Sequence, residues 1–272
     1  MSIEQYNSSR QLAIAVILVL LSISHVFAKP SVLGFSPEYP QVPENTLRLY
    51  VTFSDSMKYG QVRDKVYLLN SAGVHVKNSF LNLRTELWDS KQKMLTLIID
   101  PGRIKQNVGP NMSFGAPMVA GRTYKLVIDG SMENIDGIEL GTDKSTTYIV
   151  VKATRKALSV HDWEVNHPKE NTAPVLIKFD RLMDTAAALR LITVVDSESQ
   201  KVLGTSETDG RIWRFKPKKP WQVGEFKIVI HPELEDVSGN TLRAPFDAPS
   251  GTIGKTQKTA ILNFHFDNIS NK

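Results

Sequence analysis

The 272-residue chain contains no cysteine. That excludes disulfides, thiol nucleophiles, Cys-ligated zinc and Fe–S clusters, and it leaves the fold to its hydrophobic cores alone. A strong excess of either charge is also missing. With 33 Lys and Arg against 28 Asp and Glu, the formal charge is only +5. It is spread along the length, so composition gives no push toward nucleic acid as a partner. No G-x-S-x-G elbow, P-loop, H-E-x-x-H or dinucleotide fingerprint occurs, so no catalytic residue and no cofactor is implied. Beyond residue 28 no apolar run is long enough to span a bilayer. What is present is 41% apolar and 8% aromatic content, enough to fill real cores.

The first 28 residues have their own pattern. Arg10 precedes Leu12 to Ile23, an apolar run with Ser22 as its polar member. As a helix this run reaches about 18 Å, short of a hydrocarbon core of about 30 Å. Val26-Phe27-Ala28 then places small residues at the −3 and −1 positions before Lys29. This is the layout of a secretory signal peptide over residues 1–28, with an uncleaved anchor as the alternative. Either way the chain is expected to be exported, to the periplasm or the extracellular space.

Comparison of the chain with itself gives the architecture. Residues 44 to 57, ENTLRLYVTFSDSM, align without a gap on residues 170 to 183, ENTAPVLIKFDRLM, at an offset of 126. Residues 121 to 140, GRTYKLVIDGSMENIDGIEL, align on residues 223 to 242, VGEFKIVIHPELEDVSGNTL, at an offset of 102. Leu47, Leu49, Val51 and Phe53 alternate as in a strand with one buried face. The Asp136-Gly137 and Ser238-Gly239-Asn240 turns place Gly where positive φ is needed. Short strands, each punctuated by turns, predict an all-β protein of two tandem Ig-like β-sandwiches with Greek-key connections. The copies span about 31–153 and 157–267, joined by a short stretch without Gly or Ser runs. GQVRDKV and DTAAALRLI, just after each Met, are the only helical candidates.

VTFSDSM and IKFDRLM, followed by an alternating strand and a D-x-x-G-N-x-L turn, resemble the bacterial Ig-like domain of the S-layer (SbsA-like) type. The second copy carries the turn through Asp236 to Leu242, whereas the first has NIDGIEL instead. The resemblance implies the sandwich fold. It carries no functional residue, because such domains serve as spacers, adhesive modules and enzyme accessories.

The copies differ most at residues 100–121. Tyr124 lies 23 positions after Pro101, whereas Phe226 lies 9 after Pro217. A loop of this length is either functional or folded back over the sandwich end. In the first case Arg103, Lys105, Gln106, Asn107 and Asn111 would bind a carboxylate, phosphate or sugar. In the second, Ile104, Val108, Met112 and Phe114 would act as plugs. RIWRFKPKKPW (211 to 221) mixes aromatics with cations, but its period of two also fits a strand with buried rings. Exposed Trp88, Trp163 or Trp221 would stack on sugar rings and make the protein a carbohydrate-binding accessory. Glu235, Asp236 and Asn240 are a calcium candidate, with a plain turn as the alternative. The expected function is that of a non-catalytic cell-envelope module, structural or binding a protein or glycan. A hydrolase or metal-binding protein is the third reading.

Overall fold

The computed structural model describes residues 28–248 and 259–267. The signal-peptide reading lies outside these residues except for Ala28. The first copy contributes β1 (Val32–Ser36), β2 (Gln41–Pro43), β3 (Arg48–Phe53), β4 (Val66–Asn70), β5 (Leu87–Trp88), β6 (Met94–Ile98), β7 (Thr123–Ile128) and β8 (Lys144–Val151). The second contributes β9 (Glu164–Asn166), β10 (Val175–Lys178), β11 (Ile192–Asp196), β12 (Gly204–Thr208), β13 (Ile212–Pro217), β14 (Gly224–Ile230) and β15 (Ala260–Phe266).

The strands form four sheets, ordered β1-β3-β6-β5, β2-β8-β7-β4, β9-β10-β13-β12 and β11-β14-β15. Every pairing is antiparallel except the short parallel one of β2 on β8. The fold is all-β, with two sandwiches of two sheets each. β9, β10, β13 and β12 repeat β1, β3, β6 and β5, while β11, β14 and β15 repeat β4, β7 and β8. β2 has no counterpart among the described residues. The aligned segment there is His167-Pro168-Lys169, with proline at the central position that Val42 holds in β2.

Alternation explains the cores. In β3, Leu49, Val51 and Phe53 are buried while Thr52 is exposed. In β13, Trp213 and Phe215 face inward and Arg214 and Lys216 do not, so its aromatics belong to the core. The helical candidates form two short helices, α1 (Val62–Lys65) and, after the loop helices described below, α4 (Thr185–Leu191).

Each copy closes identically. Met57 bridges Asn134 and Met183 bridges Asp236, pairs related by the two sequence offsets. The Asn134 side-chain oxygen accepts from the N–H groups of Asp136 and Ile138, and Asp236 accepts from Ser238 and Asn240. Gly137 and Gly239 both hold φ of 77°, as the turns require.

The second closing turn docks on the first sandwich. Leu182 and Val237 are members of the first core, with Phe246 packed against it. The Leu47 N–H donates to the Val237 carbonyl at 2.7 Å. Asn45 and Asn240 both donate to the Thr154 carbonyl at 2.8 Å. Gly239 approaches so closely that a Cβ there would lie 2.8 Å from Leu47. Across the same joint Tyr50 donates to Asp184 at 2.6 Å, and Arg48 pairs with Glu235. This explains why Tyr50, on the outer face of β3, is buried.

Candidate functional site

The long connection is an ordered structure with two short helices. Asp100 accepts from the Gly102 N–H at 2.8 Å and caps α2 (Pro101–Ile104), whose first residue is proline. Pro110 opens α3 (Gly109–Phe114), and Gly115 closes it at φ 67°. These start and stop signals are present in the sequence and were the available clue to helical turns in a segment read as irregular.

Arg103 organises the loop from inside. Its side chain is buried and donates to four backbone carbonyls: Gly115 at 2.9 Å, Lys77 at 2.8 Å, Asn78 at 2.9 Å and Phe114 at 3.2 Å. Burial lowers its pKa from the usual arginine value, opposed by Asp100. Ile104 enters the first core, and Asn111 donates to the Arg103 carbonyl at 2.6 Å. Lys105 lies 4.7 Å above the Phe246 ring. The Gln106 N–H meets the Asp247 carboxylate at 3.1 Å, so the loop also braces the second copy.

Of the polar residues expected to bind a ligand, Arg103, Lys105 and Asn111 are thus engaged within the protein. Asn107 is exposed, with φ of 59°. The expected plugs are divided as well: Ile104 is buried, while Met112 is 76% and Phe114 69% exposed. At its tip the loop presents Met112 and Phe114 to solvent, while Arg103, Lys105 and Asn111 are turned to partners within the protein and Gln106 and Asn107 stay exposed.

The sugar-stacking residues are corrected in the same way. Trp221 is buried against Phe226 and Phe264, with its indole N–H on the Ala173 carbonyl at 2.7 Å. Trp163 and Trp213 are buried too. Trp88 is half-buried against Phe53 and donates to Glu86 at 2.8 Å. No pair of exposed coplanar indoles exists among the described residues, because all four indoles are packed as core or core edge.

The calcium candidate is also a structural turn. The Glu235 carboxylate is paired with Arg48, and Asn240 donates to Asp236 at 2.8 Å while accepting from the Phe246 N–H at 3.0 Å. Burial pushes the Asp236 carboxyl up to about 6, against the hydrogen bonds from Asn240 and Ser238. Its oxygens are directed at the turn's own N–H groups, which leaves no converging oxygen set for an ion. Among the described residues no group of three His, Asp or Glu is placed to hold a metal.

Two cavities among the described residues bear on chemistry. One, of about 180 Å³ at the joint, is lined by Asp180, Arg181, Asp236 and Ser238 among others. Asp180 is held by Trp163 and Arg181, and the Ser238 hydroxyl donates to Asn45. The other, of about 400 Å³ in the second copy, contains Arg190 and Lys201 but no carboxylate or histidine. Neither brings a nucleophile against a free base.

No protein-family model and no curated protein matches the chain. Among solved structures it is similar to the S-layer protein rSbsC, at 11% identity and a TM-score of 0.31, over 74% of this chain and 23% of that one. A biofilm-associated protein BSP domain shows 13% identity and a TM-score of 0.25, over 74% and 26%. Native alpha-2-macroglobulin from Escherichia coli, domains MG0-NIE-MG1, shows 11% identity and a TM-score of 0.29, over 78% and 68%. The chain therefore spans about a quarter of the S-layer and biofilm chains. At these scores the likeness carries no argument, and the architecture stands on strand order and register. Among the described residues no helix is long and apolar enough to cross a membrane.

Proposed function

We propose that this protein is an exported, non-catalytic module of the cell envelope, and that its contact point is the α3 tip of the first sandwich. The observation that carries the reading is Arg103: a buried cation ties four carbonyls together so that Met112 and Phe114 are held in water. Fixed, exposed large apolar residues cost solvation and are a recurring mark of interaction sites. The buried joint supports the same reading, because it makes the second sandwich a rigid base for the first. The layout of residues 1–28 supports export. The packing of the indoles supports this reading over a carbohydrate ligand.

The test compares the native chain with Met112→Ser/Phe114→Ser in recovery of cross-linked envelope components. Both residues are exposed, so the variant is expected to melt as the native protein does. Loss of an envelope component in the variant supports the reading. Equal recovery by both proteins removes the tip as the contact point.

A further inference from the structure

We infer that the α3 tip docks on an anionic lipid surface, with Met112 and Phe114 entering the headgroup boundary and a surrounding cationic surface holding the headgroups. This rests on the tip being the contact point and names what it touches.

The charge of the two segments that build this end is one-sided, and the carboxylates that reach the loop from outside them, Asp100, Asp247 and Glu44, are taken up by the N–H groups of Gly102, Gln106 and Ala120. Residues 65–85 and 101–128 contain no Asp or Glu, yet they contain Lys65, Lys77, Arg84, Arg103, Lys105, Arg122 and Lys125. In a chain with nearly balanced charge, this is a local segregation of sign. The structure brings the two segments together. β4 pairs with β7 from Val66↔Ile128 to Asn70↔Tyr124. The Arg103 guanidinium joins the Lys77 and Asn78 carbonyls to those of Phe114 and Gly115. Lys77 therefore lies beside the apolar tip by construction.

Three of the seven cations serve the fold: Arg103 as above, Lys65 on Gln61 and the Ser131 carbonyl, and Lys105 over Phe246. The remaining four, Lys77, Arg84, Arg122 and Lys125, are exposed. Among the described residues none of these four forms an ion pair. The same end also exposes Val74, Leu81 and Leu83. Apolar side chains in the midst of unpaired cations are the combination that partitions into an anionic interface. The apolar groups leave water, and each cation near the surface adds about 1 kcal/mol. A soluble acidic protein would satisfy the cations but would need a matching apolar pocket for the Phe114 ring. A soluble anionic glycan would offer nothing to Met112 or Phe114.

The experiment uses the full chain with Phe114→Trp, whose added indole reports on the tip itself and not on the apolar residues 12–23. The probes are phosphatidylcholine vesicles and vesicles in which about one third of the lipid is phosphatidylglycerol. Expected is a blue shift of the added emission and its quenching by brominated chains, with the anionic vesicles only. Met112→Ser in this background should weaken the partition about tenfold. Lys77→Ala and Arg84→Ala should each weaken it about fivefold. An unshifted indole with anionic vesicles overturns the inference, and so does an equal shift with phosphatidylcholine alone. If cross-linking shows tip-dependent recovery of a protein while the indole stays silent on vesicles, the tip remains the contact point and the lipid assignment falls. If both are silent, both fall.

Discussion

The two copies share a closing turn but put it to opposite uses. In the second copy the Asp236–Asn240 turn is buried in the joint, and Val237 belongs to the first core. In the first copy the aligned Asn134–Ile138 turn makes the same internal hydrogen bonds, but Ile135, which aligns with Val237, is 60% exposed. The sequence difference follows from this. Asn240 is needed to reach Thr154 and to receive the Phe246 N–H, whereas Ile138 has no neighbouring sandwich to address. One backbone motif thus acts as a connector where a partner surface exists and as a plain turn where none does. The loops show the converse: the first copy adds residues where the second runs only 9 positions from Pro217 to Phe226.

The comparison can be broken first at position 184. Asp184 is buried, accepts from Tyr50 and caps α4 through the Ala187 N–H, whereas the aligned Lys58 is an exposed partner of Glu133. Asp184→Ala should cost about 3–5 kcal/mol in urea unfolding, because it strands the Tyr50 hydroxyl and part of the Arg48 charge. Lys58→Ala should cost less than about 1 kcal/mol. Equal effects would mean that the joint does not couple the copies.

Arg103→Met comes next. It removes the donor from four carbonyls while keeping length and should cost about 3 kcal/mol, with faster proteolysis between Ile104 and Pro117. Unchanged cleavage would show that the tip holds its shape without the guanidinium. Third, Val237→Ala should lose about 2 kcal/mol while Ile135→Ala stays within about 0.5 kcal/mol. Chemical denaturation of the two variants side by side measures how far equivalent positions have diverged.

The smallest effect is that of pH on Asp236. Burial raises its folded pKa to about 6, above the unfolded value. The folded state therefore binds the extra proton, and this group's penalty is relieved as pH falls through 6. Relative to Asp236→Asn, the native protein should gain about 1 kcal/mol between pH 7 and pH 5. A difference that is flat with pH would mean the carboxylate is stabilised by Arg181 as well as by its turn.

The fold was readable because it repeats. Glu44-Asn45-Thr46 against Glu170-Asn171-Thr172, and Met57 against Met183, mark two copies of one strand-and-turn pattern before any contact is known. Parity correctly placed Trp213 and Phe215 inside. The site was less readable. Arginine and asparagine in a Pro/Gly-rich loop ordinarily face water, and nothing local shows that Arg103 will find carbonyls at residues 77 and 78. That burial fixes the α3 tip with Met112 and Phe114 outward. The joint was hidden for a different reason, since Arg48 and Glu235 are 187 residues apart. The parallel strand β2 was missed because Gln41-Val42-Pro43 is too short to show a period.

The docking of Leu182, Val237 and Phe246 into the first core has a consequence for anyone dividing the chain. Cut between the copies, the first piece would have a breached interior and the second would carry its missing stoppers on the outside. The repeat is a unit of sequence, and the pair is the unit of stability. Modular grafting of either half should therefore carry the other half's interface residues with it.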